Sequence, residues 1–448
     1  MLAVLMTAYG HGHGTGTDTE EYQAFQLMAS MPFPRSDMSA SVFNPTQLGV
    51  NKHKIYLIAG CMSSQQCGPA PNVLNPDVLN CACTNVTNHC SFFVPESSTW
   101  TTCTEAPTKR LRHMAGEVGT SIYLLGGRAL DDSITKDVDM YNINTDEWST
   151  ITTWDDAVSD AAAFTHEGKI YIAGGYSEYY SSLETLTVFD PTTNTFTRLA
   201  SMPTDRGDVH AYPLRGSLYA VVGGFEMSNW CAPVNVVEAY DVSTDSWSTL
   251  PYLQSARGDM ATGALTIGTS IFVVGGEDKD ENCMSVPVSK FERYNESSAA
   301  WEYEEDIPAD IFRFTGASVG AGGTLESAIY LFGGQGLFDS ATQTYPLKAS
   351  VYKYIPEVES SSSGDSGLDD GAIAGIAIAA IVVSLLIILA AATFLVHRRY
   401  SAYYKELESS VSAKSELGSA ESDVSIEITS SGGDGEGDGE GDGLGNQV

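Results

Sequence analysis

Short apolar runs that end in paired glycines recur along this chain. The clearest is residues 122–127, IYLLGG, whose β-branched and aromatic residues favour a strand and whose glycines favour its end. The same pattern predicts a strand before each of the other doublets, Gly174-Gly175, Gly223-Gly224, Gly275-Gly276 and Gly333-Gly334, and before the imperfect Gly60-Cys61. Six such runs predict a chain built from six repeated units.

Each unit except the last also carries two aromatic residues seven positions apart. Tyr141 and Trp148 enclose Asn, Thr and Asp residues, which are typical of tight hairpin turns. The other pairs with this spacing are Phe93/Trp100, Phe189/Phe196, Tyr240/Trp247 and Tyr294/Trp301. Strands joined by hairpin turns predict a small antiparallel sheet in every unit.

The double glycine, the tyrosine and the tryptophan at these spacings resemble the kelch family over residues 22–355. First glycines lie 48 to 66 residues apart, near the roughly 50-residue period of kelch repeats. The resemblance implies an all-β fold, a six-bladed kelch-type β-propeller with one four-stranded blade per repeat. We therefore expect the propeller to occupy residues 20–356.

The sixth unit contains three predicted strands, and the N-terminal segment resembles the missing fourth one. Phe25 precedes Met31 by six residues, as Phe196 precedes Met202, and both methionines are followed by proline. We expect the segment around Phe25 to complete the sixth blade and to close the ring, which removes open sheet edges.

Cysteine placement indicates an oxidising compartment, because all eight cysteines precede residues 371–396, an uncharged stretch that predicts a membrane span. Cys231 lies seven residues after Gly224, and Cys283 lies seven residues after Gly276, which are the second glycines of the doublets in neighbouring units. We therefore expect the two cysteines to form a disulfide. The remaining six are expected to pair among themselves; they are Cys61, Cys67, Cys81, Cys83, Cys90 and Cys103. A zinc site at Cys81, Cys83 and Cys90 is the alternative, although paired C-x-x-C motifs are absent from the sequence.

The chain has 448 residues and a formal charge of −34, which argues against a nucleic-acid partner. Residues 1–19 are interpreted as a flexible leader or a signal-peptide remnant, and residues 357–370 as a Ser-rich acidic stalk. Residues 371–396 carry no charge and predict a transmembrane helix. Residues 397–448 begin with His-Arg-Arg and end in an acidic Gly-rich run, which predicts a disordered cytoplasmic tail.

These features predict a single-pass type I protein of the plasma membrane with an extracellular propeller; an endomembrane protein with a luminal propeller is the alternative. Asn85 and Asn295 begin glycosylation sequons. Gly371, Gly375 and Ala379 form a small-residue row that favours a homodimer. Tyr404 and Leu407 match a Tyr-x-x-apolar sorting signal.

A repeated polar pattern precedes the first strand of each unit, as in Arg206-Gly207-Asp208. Because first strands are innermost in a propeller, we expect these side chains to ring the channel mouth and to bind a ligand. The predicted set is Arg35, Asp37, His113, Asp160, Arg206, Asp208, Arg257, Asp259 and Arg313. The alternative is a structural role in which Arg–Asp and backbone bonds tie neighbouring blades together.

The sequence pattern indicates a recognition role for the long loops that follow the doublets. We expect a non-catalytic module that binds an extracellular or luminal protein or glycan, with no cofactor, no metal and no catalytic residues. Two alternatives stay open: a membrane-tethered carbohydrate-active enzyme, either a kelch-type oxidase or an epimerase, and a luminal scaffold or cargo protein of the secretory pathway. Against the oxidase, the histidines show no metal-ligand spacing.

Overall fold

The computed structural model describes residues 24–49, 52–69, 79–260, 263, 265–268, 270–295, 298–320 and 327–356. All of them lie in the first of the two units into which the chain divides, Met1–Val358. They form six four-stranded antiparallel sheets, which confirms the predicted six-bladed propeller. In every sheet the first strand lines a central channel and the fourth strand is outermost.

Four antiparallel strands form each of the first three blades. From the channel outward, blade 1 consists of Ser39–Phe43, Lys54–Cys61, Val86–Val94 and Thr99–Cys103. Blade 2 consists of Met114–Val118, Ser121–Leu125, Asp137–Asn142 and Glu147–Thr153. Blade 3 consists of Ala162–His166, Lys169–Ala173, Leu186–Asp190 and Thr195–Leu199.

The last three blades follow the same order. Blade 4 consists of His210–Pro213, Leu218–Val222, Val237–Asp241 and Ser246–Thr249. Blade 5 consists of Thr266–Ile267, Ser270–Val274, Phe291–Asn295 and Ala300–Tyr303. Blade 6 consists of Thr315–Val319, Ala328–Phe332, Val351–Tyr354 and Phe25–Leu27.

The outer strand of blade 6 comes from the N-terminal side of the propeller, as its sequence pattern predicts. Phe25–Leu27 pairs antiparallel with Val351–Tyr354, and Phe25 lies directly opposite Tyr354 with ring centroids 5.0 Å apart. The two ends of the propeller therefore meet in one sheet, and pairing with Phe25–Leu27 covers the edge that Val351–Tyr354 would otherwise expose.

The aromatic pairs seven residues apart are direct cross-strand partners in blades 1 to 5. Tyr141 faces Trp148 across a hairpin, with ring centroids 4.9 Å apart, and the equivalent pairs lie at 4.7–5.1 Å. The Trp148 indole N–H also donates to Thr104 O of blade 1 at 2.8 Å. Each such tryptophan stabilises its own hairpin by ring contact and binds the preceding blade by a hydrogen bond.

The glycine doublets end the second strands in left-handed backbone, as Gly126 and Gly127 show with φ of 61° and 85°. A Cβ on Gly126 would collide with Val158 O, and one on Gly127 would lie 2.6 Å from His113 Cβ. A side chain at Gly126 would meet the connection into the first strand of blade 3, and one at Gly127 the connection into the first strand of blade 2, so glycine allows the close backbone approach at both positions.

The loops that follow the doublets contain further short elements. Glu277–Lys279 pairs with Ser285–Pro287 in blade 5, and a three-stranded sheet combines Gln65–Pro69, Leu79–Ala82 and Thr344–Tyr345. The last of these strands belongs to blade 6 and the others to blade 1. The helical elements of the described residues are the α-helix Pro45–Leu48 and the 3-10 helix Met227–Asn229.

All eight cysteines lie in disulfides. Cys231 pairs with Cys283 across blades 4 and 5, with Cα atoms 5.1 Å apart. The six cysteines of blade 1 pair among themselves as Cys61–Cys83, Cys67–Cys81 and Cys90–Cys103. The zinc alternative at Cys81, Cys83 and Cys90 is therefore not the arrangement that the structure has.

A transmembrane helix is not part of the fold seen here. Among the described residues, no helix has the length and apolar character needed to cross a bilayer. The predicted span at 371–396 lies outside the described residues, as do the leader 1–19, the stalk 357–370 and the tail 397–448. The all-β propeller is therefore the part of the predicted architecture that the structure supports.

Candidate functional site at the channel mouth

One residue of each blade, ahead of its inner strand, has left-handed backbone at the channel mouth. The φ angles of these six residues lie between 46° and 56°. We call this set the mouth ring; it consists of Asp37, Arg112, Asp160, Asp208, Asp259 and Arg313. All six line a cavity of about 430 Å³ that is continuous with the channel.

Main-chain hydrogen bonds connect consecutive members of the mouth ring. The amide of Asp208 donates to Asp160 O at 2.9 Å, and the amide of Arg112 donates to Asp37 O at 3.0 Å. The same bond joins Asp160 to Arg112, Asp259 to Asp208 and Asp37 to Arg313. Because these bonds use only backbone atoms, they fix the ring while its side chains remain available for other contacts.

A second set of residues lies directly after the glycine doublets and pairs with the segment before the mouth ring. Tyr176, for example, forms an antiparallel bridge with Ser159, and Glu277 forms one with Gly258. Tyr176, Glu277 and Gln335 bring their side chains to the ring. The sequence pattern predicts none of the three as site residues, although their place directly after a doublet was a usable signal.

Three arginines that the sequence predicts at the mouth lie inside their blades instead. Arg206 is fully buried and donates from Nη1 to Gly223 O at 2.6 Å and from Nη2 to Glu238 Oε2 at 2.7 Å. Arg35 and Arg257 are buried in the same way, as is Arg110 of blade 2. The left-handed ring residue breaks the alternation of side chains along a strand, so residues two apart no longer face the same way.

The buried arginines match the structural alternative stated for the polar pattern. Their backbone carbonyls accept from the glycine doublet of the preceding blade, as Arg206 O accepts from the Gly175 amide at 2.8 Å. The side chain then satisfies carbonyl and carboxylate groups within its own blade. Such an arginine therefore connects two blades and does not present its charge to a ligand.

In blade 2 the ring residue is Arg112, whereas the sequence pattern predicts His113. His113 lies one residue further on, is buried, and has its Nε2 2.9 Å from Ser39 Oγ. Burial lowers the pKa of His113 to about 3, so the imidazole is neutral at physiological pH. Comparison of Arg110-Leu111-Arg112 with Arg206-Gly207-Asp208 would have identified the correct position.

Charge is distributed unevenly around the mouth ring. Arg112 lies between Asp37 and Asp160, with its Nε 3.3 Å from Asp37 Oδ1 and 3.6 Å from Asp160 Oδ1. Arg313 lies between Asp259 and Asp37 in ring order, and its Nε is 3.0 Å from Asp259 Oδ2. Both arginines are therefore on the Asp37 side of the ring, and Asp208 has only carboxylates as ring neighbours.

Glu277 of blade 5 extends the charge network beyond the ring. Its Oε2 lies 2.8 Å from Arg313 Nε, and Lys279 Nζ contacts its Oε1. Burial opposes the charged form of Glu277, but Arg313 and Lys279 outweigh burial and lower its pKa to about 2. Glu277 is therefore a carboxylate with its charge already compensated.

Asp208 is in the opposite situation. Burial raises its pKa well above the usual range, and the nearby Asp259 and Asp160 add to the effect. Its Oδ2 accepts a hydrogen bond from Tyr176 OH at 2.9 Å. Burial also raises the pKa of Asp259, to about 6. Asp208 and Asp259 are thus ring carboxylates whose charged form is disfavoured by burial.

The loops that follow the doublets are bound to one another above the ring. Arg128 of blade 2 donates to Ser177 O of blade 3 at 2.8 Å and lies 3.6 Å from the centroid of the Tyr180 ring. The Met227 amide of blade 4 donates to Ser182 Oγ of blade 3 at 3.2 Å. We call this set of post-doublet loops the loop collar.

The rest of the loop collar is connected by three further contacts. The disulfide Cys231–Cys283 joins blades 4 and 5. Tyr345 OH of blade 6 donates to Ser285 O of blade 5 at 3.1 Å, and the strand Thr344–Tyr345 pairs with the loop of blade 1. Such connections from blade to blade hold the loops in a defined arrangement, as a preformed binding surface requires.

The loop collar also carries large apolar side chains that are exposed. Tyr179 of blade 3 is 84% exposed, and Trp230 of blade 4 is 40% exposed. Other exposed apolar members of the collar are Leu130, Met227 and Leu337. Scattered exposed apolar residues are ordinary, but these five come from loops on one face of the propeller, which is typical of an interaction surface.

Two further predicted sites lie within the described residues. Asn85 is exposed in the loop collar of blade 1, whereas Asn295 is half-buried and donates from Nδ2 to Glu302 Oε1 at 2.8 Å. The predicted sorting residues Tyr404 and Leu407 lie outside the described residues, as do Gly371, Gly375 and Ala379.

Comparison with known proteins agrees with the geometry of the blades. The family model described as the KLHDC2/KLHL20/DRC7 Kelch-repeats domain matches residues 11–206 and 112–334. These matches together span more than half of the chain, and the chain belongs to the kelch-repeat family. Kelch propellers typically act as protein-interaction modules.

Individual relatives are similar over part of their length. Kelch-like protein terF of Aspergillus terreus is 28% identical over 53% of this chain and 52% of its own length. Kelch-like protein 34 of Homo sapiens is 27% identical over 46% of this chain and 32% of its own length. The chain thus spans about half or less of these curated relatives.

A solved structure shows the same fold. The structure of YjhT superposes with a TM-score of 0.55 over 74% of this chain and 98% of that chain, at 14% identity. At this level of identity the likeness establishes the propeller fold alone.

Proposed function

We propose that this protein is a non-catalytic recognition module whose loop collar binds a protein or a glycan outside the cytoplasm. The observation that carries the proposal is the set of exposed apolar side chains on the collar, above all Tyr179 and Trp230. Aromatic residues of this kind supply contact area at small entropic cost and are enriched in binding hot spots.

The proposed compartment follows from the cysteines. Four disulfides favour an oxidising environment, and one of them, Cys231–Cys283, lies in the collar itself. We place the propeller on the extracellular side of a single-pass type I membrane protein, with residues 371–396 as the span. The exposed Asn85 would then carry a glycan beside the binding face.

The binding test uses the full-length chain. The purified protein is applied to an array of glycans, and in parallel to intact cells with a surface cross-linker. We expect the double substitution Tyr179→Ala with Trp230→Ala to reduce partner capture at least about tenfold, because hot-spot aromatics carry much of the binding free energy. Leu27→Ala is the matched control, since Leu27 is an exposed apolar residue of the outer strand of blade 6.

Each outcome of the binding test distinguishes one function. Equal loss of binding in the control variant would contradict a role for the collar. Stoichiometric copper in the purified protein, or turnover of an arrayed sugar, would favour the carbohydrate-active enzyme instead. Selective loss in the Tyr179 and Trp230 variant supports the proposal.

The compartment is tested separately. Intact cells that express the full-length chain are treated with a membrane-impermeant biotin reagent. Labelling of an abundant, lysine-rich cytosolic protein is measured as the negative control. Labelled propeller is the expected result. Labelling only after the cells are permeabilised would favour the luminal scaffold or cargo role.

A further inference from the structure

Three consecutive members of the mouth ring bring their carboxylates together. Asp160, Asp208 and Asp259 come from blades 3, 4 and 5, and each offers an oxygen that lies within 4.8 Å of the oxygens from both others. We call these three residues the carboxylate triad. The ring arginines flank the triad and do not enter it, because Arg112 contacts Asp160 on one side and Arg313 contacts Asp259 on the other.

The triad contains a buried oxygen without a hydrogen-bond donor. The side chain of Asp160 is 1% exposed, and its Oδ2 has no hydrogen-bond partner. The other oxygen, Oδ1, faces Arg112 Nε at 3.6 Å. A buried carboxylate oxygen that lacks a donor is energetically unfavourable. A ligand that supplies positive charge would stabilise it.

The other two triad residues each have one carboxylate oxygen in contact with a side chain of the protein. Asp208 Oδ2 accepts from Tyr176 OH at 2.9 Å, and Asp259 Oδ2 is 3.0 Å from Arg313 Nε. The carboxylates are thereby held in place by residues that do not themselves belong to the triad. All three line the cavity at the channel mouth, so an ion can reach them from solvent.

Two kinds of positive charge can relieve a cluster of this kind. A proton can bind to one carboxylate and remove its charge. A divalent cation can also bind and neutralise two carboxylates at once. Because only oxygen ligands are present, the cation is a hard one, such as Ca²⁺, and not a thiolate- or imidazole-seeking metal.

We propose that Asp160, Asp208 and Asp259 form a binding site for a hard divalent cation of the calcium type at the mouth of the channel. Calcium takes oxygen ligands at about 2.3–2.6 Å, so oxygens on one ion lie at most roughly 5 Å apart. The triad meets this limit. Water in the channel completes the coordination. The site is independent of the proposed function, and it departs from the sequence-based expectation that the chain binds no metal.

Terbium provides a direct probe, because a Tb³⁺ ion beside an excited tyrosine luminesces. Tyr176 donates to a triad carboxylate, so ultraviolet excitation of the full-length chain is expected to sensitise Tb³⁺ in the site. Addition of CaCl₂ should displace the ion and extinguish the signal, whereas MgCl₂ should do so less effectively because magnesium demands a tighter octahedral shell.

Asp208→Asn and Asp160→Asn are the test variants, and each is expected to weaken Tb³⁺ and Ca²⁺ binding at least about tenfold. Asp37→Asn is the matched control. It occupies the same ring position with the same left-handed backbone, but contacts Arg112 and Gln335 instead of other carboxylates. The acidic run at 434–442 is identical in all variants, so any ion that it binds forms a constant background.

A second measurement guards against loss of folding. Thermal unfolding is recorded in EDTA and in CaCl₂ for the full-length chain and its variants. We expect calcium to raise the Tm of the unaltered chain and of Asp37→Asn, but not the Tm of Asp208→Asn or Asp160→Asn. In EDTA both triad variants should unfold at or above the Tm of the unaltered chain, because each removes like-charge repulsion.

The proposal is overturned by either of two results. One is an unaltered chain whose Tm is the same in EDTA and CaCl₂ and whose Tb³⁺ luminescence is no greater than that of Asp208→Asn. The other is equal loss of binding in Asp37→Asn, which would assign the ion to the general charge of the mouth. Both results are independent of whether the loop collar binds a partner.

Discussion

The buried pair Arg206–Glu238 offers the sharpest test of how the blades are held. Both side chains lie inside blade 4, with exposures of 0% and 3%, and Nη2 is 2.7 Å from Oε2. Thr204 Oγ1 donates to the other carboxylate oxygen at 2.8 Å. Both carboxylate oxygens of Glu238 therefore have a donor, and removal of one partner of the pair leaves a buried charge without compensation.

The expected magnitude follows from this geometry. Arg206→Met should lower the free energy of unfolding by about 3–5 kcal/mol, since Glu238 loses its counterion and Gly223 O loses a donor. Glu238→Gln should also destabilise, because the arginine stays charged and buried. The double substitution removes both charges, so we expect it to cost less than the sum by roughly 2 kcal/mol.

Blade 3 shows that an uncharged pair is compatible with the fold. Val158 and Thr187 occupy its equivalent positions, and both are buried. The assay is denaturant unfolding of the full-length chain and the three variants, followed by fluorescence and circular dichroism. Additive losses in the double variant would refute the reasoning, because they would mean that the two charges do not depend on each other.

Three further predictions concern backbone, pH and the loop collar. Gly126→Ala should destabilise the fold by about 1–3 kcal/mol more than Gly119→Ala. The two glycines have φ of 61° and 62°, but a Cβ on Gly126 would collide with Val158 O, whereas one on Gly119 would meet no atom within 4 Å. Equal unfolding midpoints of the two variants would contradict this. Burial lowers the pKa of His113 to about 3, so below pH 6.5 the unfolded chain binds a proton that the folded chain does not. A fall from pH 7 to pH 5 should therefore lower the free energy of unfolding by about 2 kcal/mol through this residue, and His113→Gln should not show that loss. Peptide mapping without reductant should yield a Cys231–Cys283 peptide, and replacement of both residues by serine should destabilise by at most roughly 4 kcal/mol for a sequence separation of 52; a peptide that links Cys231 to Cys67 would exclude the pairing.

Local signals in the sequence were enough to predict the blades. A spacing of seven between Tyr141 and Trp148 is what a tight hairpin imposes on cross-strand partners, so the spacing determines the register. The closing strand was predictable for a similar reason, because Phe25 repeats the outer-strand pattern of Phe196 and pairs with Tyr354. Each of these features depends on a few neighbouring residues and a fixed strand geometry.

The mouth ring was only partly predictable, because its positions share a backbone conformation and not a residue type. The repeated Arg-x-Asp pattern identified Asp208, but it assigned the blade 2 position to His113 instead of Arg112, which has almost the same φ as Asp208. The burial of Arg206 depends on the same left-handed turn, which reverses the side-chain alternation that a strand pattern assumes. Proximity between Asp160 and Asp259 arises from the closed ring and leaves no signal in the local sequence.

The fold itself does not determine the charges of the mouth ring. Its backbone hydrogen bonds are the same whether the residue is Asp208 or Arg112, so closure of the channel requires neither charge. Left-handed backbone is tolerated by aspartate but disfavoured for a long side chain, so Arg112 and Arg313 occupy their places at an energetic cost. The buried Arg206, by contrast, is specified by its own partners, Gly223 O and Glu238. Two arginines stand on one side of the ring and three carboxylates on the other, and this asymmetry of charge is the arrangement that the proposed cation site needs.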